Sequence, residues 1–272
     1  MLLTVIEILS ALGALGLYFG FGGAGAWSWL WMIPVYFLGF FLLGLLVLFL
    51  IVVIWCSTID LNKPVEQERR FDRLLVEQYC GCLIRLFHIK LDVVGLEKVP
   101  KDGRFLLVCN HIHLIDPGFL LWAFRGKQLA FIAKKETGSM PFVNKGLHAV
   151  QGQRIDREND REALVTILKC IDLIKQDKAS VAVFPEGYTS MDGILHEFRN
   201  GVFKIAQRTK VPIVVCTLKG SSRVFRDIAH FRRPHVRLEL VDVVDSAVFT
   251  GTKDMGDHVH ALMAENIGDN VG

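Results

Sequence analysis

Charge is almost absent from the N-terminal part of this 272-residue chain. Residues 1–59 contain one formally charged side chain, Glu7, whereas the other 58 of the 59 charged side chains lie from Asp60 onward. Soluble globular proteins and disordered chains carry polar and charged side chains along their whole length. The distribution therefore excludes both classes, and it predicts a membrane-embedded head followed by a water-compatible body.

The uncharged run from Trp27 to Cys56 is long enough to cross a bilayer, which needs about 20 residues. Residues 2–21 form a second apolar segment, which Glu7 interrupts, and the break Gly22-Gly23-Ala24-Gly25 separates it from the first. We therefore predict a membrane anchor over residues 1–59, and one span or a hairpin of two spans both remain open. Tryptophans, typical of membrane interfaces, lie near both ends of the longer run, at Trp27, Trp29, Trp31 and Trp55.

The charges that follow the anchor predict its orientation. Basic side chains near the end of a span favour the cytoplasmic side of a membrane, and here they are Lys63, Arg69, Arg70 and Arg73. We expect an integral membrane protein with its body at the cytoplasmic face. Within a connecting segment at 60–90, the spacing of apolar residues predicts an amphipathic helix over Glu66–Phe87. This helix could pack on its own domain or hold the body against the bilayer.

The body, residues 91–272, alternates strand-like and helix-like patterns. This alternation predicts an α/β domain with a mixed, partly parallel sheet covered by helices. In such a sheet, functional side chains collect in the loops at the carboxyl ends of the strands. The predicted strands are 105–108, 129–133, 181–184, 213–218 and 236–244, and the predicted helices are 117–124, 161–175, 201–208 and 253–265.

His111 and Asp116 follow the first of these strands. If both residues lay on one helix, their side chains would point in different directions, because they are five positions apart. The two side chains can therefore meet only across a bend in the chain. Pro117 supplies that bend, because proline is favoured at the first position of a helix, and Asp116 would be the N-cap before it. A histidine paired with a carboxylate suits general-base catalysis. The alternative is a helix cap beside an ordinary loop histidine.

A metal site is an alternative at the same turn, because His111 and His113 would face the same way on an extended strand. Metallo-hydrolases that begin with His-x-His continue with Asp and His, and those positions hold Ile115 and Asp116 here. The sequence therefore predicts no metal site.

Four blocks resemble the motifs of the glycerolipid acyltransferases, in that family's order. Asn110-His111 with Asp116 is similar to the first motif, and Gly152-Gln-Arg-Ile-Asp-Arg157 is similar to the second. Phe184-Pro-Glu-Gly187 resembles the third, and Val211-Pro-Ile-Val214 resembles the fourth. Lys135 lies in a further similar segment. The likeness covers about residues 96–218.

The resemblance implies transfer of a fatty acyl group from acyl-CoA or an acyl carrier protein to the free hydroxyl of 1-acyl-sn-glycerol-3-phosphate, giving phosphatidic acid. His111 would be the general base and Asp116 would orient it. Arg157 would bind the acceptor's phosphate, and Glu186 and Gly187 would position its glycerol or stabilise the oxyanion. A thioester is already activated, so no cofactor is expected.

One departure from the family concerns the acceptor. The third motif usually continues Thr-Arg-Ser, whereas this chain has Tyr188-Thr189-Ser190 and lacks the arginine. The candidates to replace that charge are Arg154, Lys135 and Arg199. Acylation of another lysophospholipid or of a lyso-amino-lipid, or a catalytically silent membrane-shaping role, therefore remain as alternatives.

A basic cluster lies toward the C-terminus. From Asp60 onward the chain has 31 basic and 27 acidic side chains, and this net +4 is too small to predict a nucleic-acid partner. The cluster could be a solvated face, or it could contact anionic lipid or the phosphates of CoA. Its members are Arg223, Arg226, Arg232, Arg233 and Arg237.

Overall fold

The computed structural model describes residues 2–20, 30–190 and 194–268, which form two compact units, Met1–Asn62 and Lys63–Gly272. The predicted glycine break at 22–25 and the tryptophans at 27 and 29 lie outside the described residues.

The first unit contains two helices, α1 (Leu2–Gly20) and α2 (Met32–Thr58). They pack antiparallel, because Ile6 contacts Gly44 while Gly13 contacts the ring of Phe40. Both helices are long enough and apolar enough to cross a membrane. Glycines at such contacts let two apolar helices approach closely, as they do in membrane-embedded pairs.

The second unit is built on one seven-stranded sheet of order β1-β7-β6-β2-β5-β3-β4. All neighbouring strands are parallel except β6 and β7, so the predicted mixed, partly parallel α/β fold is confirmed. The strands are β1 (Lys90–Val94), β2 (Leu106–Cys109), β3 (Leu129–Lys134), β4 (Gln153–Ile155), β5 (Ser180–Val183), β6 (Ile213–Lys219) and β7 (His235–Val244).

Helices cover both faces of this sheet, and each face has its own hydrophobic core. One core contains α6 (Asp160–Lys175), α7 (Lys204–Thr209) and α9 (Thr252–Ile267). The other contains α4 (Asp116–Ala123) and the start of α8 (Val224–Ala229). The β1 and β4 strands, α8 and α5 (Pro141–Ala149) are elements that the sequence patterns missed.

The predicted amphipathic helix is α3, which runs over Arg70–Leu86 and begins four residues after the predicted Glu66. Phe71 and Leu74 of this helix are exposed, whereas Arg73 and Glu77 are buried. The physical reason is that other parts of the domain supply partners for these two charges, as their hydrogen bonds show.

Arg73 makes a two-pronged ion pair with Glu68, with both N–O distances at 2.6 Å, and donates to the carbonyl of Leu129 at 3.1 Å. Glu77 accepts from the N–H of Gly126 at 3.0 Å. Burial raises the pKa of the Glu77 carboxyl, and that hydrogen bond opposes the rise. These contacts tie α3 to the sheet domain.

We predict that Arg73→Met lowers the stability of the second unit by about 3–5 kcal/mol, because it leaves the Glu68 carboxylate buried without its partner. The measurement is the thermal unfolding midpoint in detergent. Arg70→Met, on the exposed side of the same helix turn, is the control and should unfold like the unmodified protein. The double change Glu68→Leu with Arg73→Met should recover most of the lost stability. Equal unfolding midpoints for Arg73→Met and Arg70→Met would contradict the prediction.

Candidate active site

Four parallel strands bring the predicted site motifs to one edge of the sheet. The strands β2, β5, β3 and β4 lie side by side and run in the same direction, so their carboxyl ends meet there. His111 follows β2, Glu186 follows β5, Lys135 follows β3 and Arg157 follows β4. Residues from four separate parts of the sequence therefore share one edge.

His111 and Asp116 lie within hydrogen-bonding distance across the bend after β2. The Nδ1 atom of His111 is 3.0 Å from Oδ2 of Asp116. The same oxygen accepts from the backbone N–H groups of Ile112 and His113, both at 2.7 Å. Asp116 is completely buried. Its carboxylate therefore fixes both the turn and the histidine ring.

The predicted N-cap role of Asp116 is wrong. The α4 helix begins at Asp116 itself, with Ile115 at the N-cap position, and no side chain caps it. The reason is that Ile112 and His113 present their N–H groups to the Asp116 carboxylate before α4 begins, so the side chain serves the preceding turn. Pro117 lies in the first turn of α4, as expected.

The ring of His111 is held on one face and keeps one nitrogen available. It stacks on the ring of Phe184, with the centroids 4.2 Å apart and the planes 19° apart. The side chain retains 13% exposure. With Nδ1 beside a carboxylate, a neutral ring carries its proton on that nitrogen. Nε2, which makes no hydrogen bond among the described residues, is then the basic atom.

His113 has different neighbours from His111. Its ring centroid lies 5.1 Å from that of Phe225, at the start of α8, and its Nδ1 is buried without a hydrogen-bond partner. Across the described ranges, no group of three His, Cys, Asp or Glu side chains is arranged to hold a metal ion.

Asn110, of the first motif, joins two neighbouring strands through its side-chain amide. Its amide nitrogen donates to the carbonyl of Leu218 at 2.9 Å, and its amide oxygen accepts from the N–H of the same residue at 2.7 Å. This pair joins the end of β2 to β6 where their ladder stops. The sequence signal for this role is an asparagine directly after a buried strand, since its side-chain amide can make the two hydrogen bonds that a backbone residue would make to the neighbouring strand.

Glu186 is buried, and both carboxylate oxygens accept hydrogen bonds from the protein. One oxygen accepts from the backbone N–H of His111 at 2.9 Å. The other accepts from the hydroxyl of Ser190 and from the backbone N–H of His196 at 3.1 Å. The side chain thus holds the turn after β2 to the loop after β5, and its contact with an acceptor's glycerol stays a prediction.

Gly187 has a backbone conformation and a neighbour that a side chain would disturb. Its φ is +83°, in the left-handed region that favours glycine. A Cβ there would lie 2.9 Å from Nε of Arg199. Its N–H donates to the carbonyl of Phe184 at 3.2 Å, so it is already used within the turn. The N–H of Glu186 has no partner among the described residues, which makes it the turn's candidate oxyanion donor.

Arg199 and Arg157 form a pair of neighbouring cations beside this turn. The backbone N–H of Arg199 donates to the carbonyl of Pro185 at 2.9 Å, and its guanidinium lies against Gly187 and 3.5 Å from the carbonyl oxygen of Arg157. Burial lowers the pKa of the Arg157 guanidinium, and the charge of Arg199 lowers it further. Neither forms an ion pair with a carboxylate of the described residues.

The other two predicted phosphate ligands have protein partners. Lys135 forms an exposed ion pair with Asp156, with Nζ 2.8 Å from Oδ2. This pairing raises the pKa of Lys135 and lowers that of Asp156. Arg154 donates to the side-chain oxygen of Asn144, on α5, at 3.1 Å. Of the three candidates to replace the missing arginine, Arg199 is the one whose charge acts on Arg157.

Comparison with known proteins gives a consistent result. Residues 90–219 match the family model described as Acyltransferase. A chloroplastic 1-acyl-sn-glycerol-3-phosphate acyltransferase of Brassica napus, BAT2, is 32% identical over 157 residues, which are 57% of this chain and 44% of that protein. The 1-acyl-sn-glycerol-3-phosphate acyltransferase of Borreliella burgdorferi is 29% identical over 137 residues, 50% of this chain and 54% of that protein.

A solved structure shares the fold over almost the whole chain. The crystal structure of the 1-acyl-sn-glycerophosphate (LPA) acyltransferase PlsC from Thermotoga maritima aligns with a TM-score of 0.61 and 22% sequence identity, covering 96% of each chain. This chain spans about half the length of the curated relatives it matches.

We predict that Glu186→Ala lowers stability by about 1–3 kcal/mol for each backbone N–H that it leaves buried without a partner. The measurements are the thermal unfolding midpoint and the hydrogen-exchange rate of the His111 amide, which should increase. Glu197→Ala, an exposed glutamate of the same segment, is the matched control. Unchanged protection of the His111 amide in Glu186→Ala would contradict the role given to this carboxylate.

Proposed function

We propose that this chain, which resembles the glycerolipid acyltransferases and matches the Acyltransferase model over residues 90–219, acylates 1-acyl-sn-glycerol-3-phosphate. The donor would be acyl-CoA or an acyl carrier protein, and the product phosphatidic acid. The observation that carries the proposal is the 3.0 Å contact between His111 and the buried Asp116, with the second ring nitrogen left for a substrate.

The first step is deprotonation of the acceptor. Nε2 of His111 takes the proton from the lipid hydroxyl as that oxygen attacks the carbonyl carbon of the thioester. The ring becomes positively charged, and the adjacent Asp116 carboxylate stabilises this charge and keeps the ring oriented. The nucleophile belongs to the substrate, so the protein needs to supply only the base.

The second step is collapse of the tetrahedral intermediate. The negative charge on the former carbonyl oxygen needs a hydrogen-bond donor in a site that excludes water, and the N–H of Glu186 in the turn after β5 is our candidate. The carbon–sulfur bond then breaks, and the leaving thiolate takes the proton from the His111 ring. The products are the new ester and a free thiol.

The phosphate of the acceptor would lie between Arg157 and Arg199. A guanidinium binds phosphate through two parallel hydrogen bonds, and two such groups match a doubly charged head group when no carboxylate of the described residues pairs with them. Arg199 supplies from a later loop the charge that the third motif lacks at Thr189. We consider Arg154 and Lys135 less suitable, since Asn144 and Asp156 already hold them.

The two apolar helices α1 and α2 would hold the enzyme in the membrane that contains its lipid acceptor. Both pass the length and composition needed for a span. The basic residues after Thr58 favour placing the acyltransferase domain at the cytoplasmic face. The exposed apolar side chains of α3, Phe71 and Leu74, are consistent with a domain that works close to lipid.

We predict that His111→Ala reduces thiol release by about 10²–10⁴-fold, the usual contribution of a general base. Release of the free thiol is measured with purified protein, acyl-CoA or an acyl carrier protein, and lysophosphatidic acid. His113→Ala, which changes a histidine two residues away, is the control and should retain most of the activity. Equal loss in the two variants would contradict the assignment of the base.

We predict that Arg199→Ala raises the apparent KM for lysophosphatidic acid by about 10–100-fold, since a hydrogen bond to a charged group contributes about 1.5–3 kcal/mol. The KM for the acyl donor should stay constant. Arg154→Ala is the matched control, and it should leave both constants near those of the unmodified protein.

The acceptor itself is tested by competition between lysophosphatidic acid, other lysophospholipids and a monoacylglycerol. Preference for a head group without phosphate would overturn the proposed acceptor, even if His111 were still required. If Arg154→Ala raised the KM for lysophosphatidic acid more than Arg199→Ala did, the phosphate would have to be assigned to Arg154 on β4 instead.

A further inference from the structure

The turn that ends α8 has the geometry of a standard helix stop. The N–H of Arg232 donates to the carbonyl of Asp227 at 2.8 Å, and the N–H of Phe231 donates to the carbonyl of Ile228 at 3.1 Å. This pair of bonds defines the Schellman motif, in which the residue after the C-cap takes a left-handed conformation and is usually glycine. Here His230 is the C-cap and the next residue is Phe231, with φ +54°.

Phe231 therefore occupies a position where folding alone favours another residue. A bulky side chain is disfavoured in the left-handed region, and such strain tends to occur at functional positions. The side chain is also 100% exposed, so no packing compensates for that strain. An aromatic ring held in this way offers its whole apolar surface to a partner.

The surroundings of Phe231 are positively charged. Arg226 and Arg232 are exposed, and no carboxylate of the described residues forms an ion pair with either of them. Arg233 is also exposed, and it donates to the carbonyl of His88 at 3.3 Å. The one acidic residue of the turn, Asp227, is half-buried. The segment from Arg226 to Arg233, which we call the tip, thus places an exposed apolar ring among exposed guanidinium groups.

The topology places this tip at the edge that carries His111. Because β7 runs antiparallel to β6, the segment between them lies at the carboxyl end of β6, beside the carboxyl end of β2. Phe225, at the start of α8, lies 5.1 Å from the ring of His113 and is itself 53% exposed. The tip therefore lies at the same edge of the sheet as His111.

We propose that Phe231 inserts into the interface of an anionic bilayer while Arg226 and Arg232 bind the lipid head groups. An aromatic ring with adjacent basic side chains matches the layered chemistry of a membrane surface, which has apolar chains beneath negative charge. A small ligand needs a concave site, whereas this ring is fully exposed. The tip would bring the catalytic edge onto the lipid surface, and this proposal does not depend on the reaction.

The test uses the full chain in nanodiscs, with Phe231→Cys labelled by the environment-sensitive fluorophore NBD. The native cysteines are buried or half-buried, and the unmodified chain taken through the same labelling gives the background. Val248→Cys is the matched control, since Val248 is 70% exposed and follows β7, at the opposite end of that strand. We expect the label at 231 alone to shift to shorter wavelength and to be quenched by nitroxides on the lipid chains, in anionic but not in neutral nanodiscs.

The charges are tested by Arg226→Gln and Arg232→Gln in the labelled chain. Each should lower the ratio of inserted to free label by about fivefold, which corresponds to about 1 kcal/mol for each basic residue at an anionic surface. Equal spectra at positions 231 and 248, or insertion that ignores lipid charge, would overturn the proposal. A response of the label to acyl-CoA in detergent, without any bilayer, would instead assign the tip to the donor and would also overturn it.

The variant Phe231→Gly distinguishes a role of this ring in folding from a role in membrane insertion. Glycine suits the left-handed conformation, so the thermal unfolding midpoint should stay constant or increase. Trypsin cleavage after Arg232 should be suppressed in anionic nanodiscs for the unmodified protein and restored by Phe231→Gly. A variant that unfolds earlier, or that keeps the protection, would show that the ring serves the fold and would refute the insertion.

Discussion

One carboxylate oxygen determines the local structure at the centre of this domain. Oδ2 of Asp116 accepts from the ring of His111 and from two consecutive backbone N–H groups, and it does so without exposure to solvent. Three donors converge on one charge in a medium of low dielectric constant, where each interaction is stronger than in water. The end of β2, the start of α4 and the orientation of the imidazole therefore depend on the same atom.

Three other acidic side chains also accept hydrogen bonds inside the domain, Glu186 at this edge and Glu68 and Glu77 near the amino end of β3. Glu186 accepts from the backbone on both sides of the site, Glu68 holds Arg73, and Glu77 accepts from Gly126. Each of these carboxylates satisfies donors that would otherwise be buried without partners.

The sequence predicted what is local and periodic. The five strands with valine-rich and isoleucine-rich runs were found, and so was the convergence of His111 with Asp116, because proline and the strand end specify a bend. The short strands β1 and β4 were missed, since five and three residues are too few to show a period. The burial of Arg73 on α3 could not be predicted from the helical pattern, because its partners lie five and 56 positions away along the chain. The proximity of Arg199 to Arg157 is likewise a property of the sheet order, which only the fold reveals.

The two neighbouring guanidiniums at Arg157 and Arg199 have a thermodynamic consequence of their own. Like charges held side by side repel, so this pair carries unfavourable electrostatic energy that a dianion between the two guanidiniums would relieve. Occupancy would then stabilise the loops after β4 and β5 in proportion to the logarithm of ligand concentration. With the proposed acceptor as that dianion, a cell with abundant acceptor lipid would contain a more rigid and longer-lived enzyme through mass action alone.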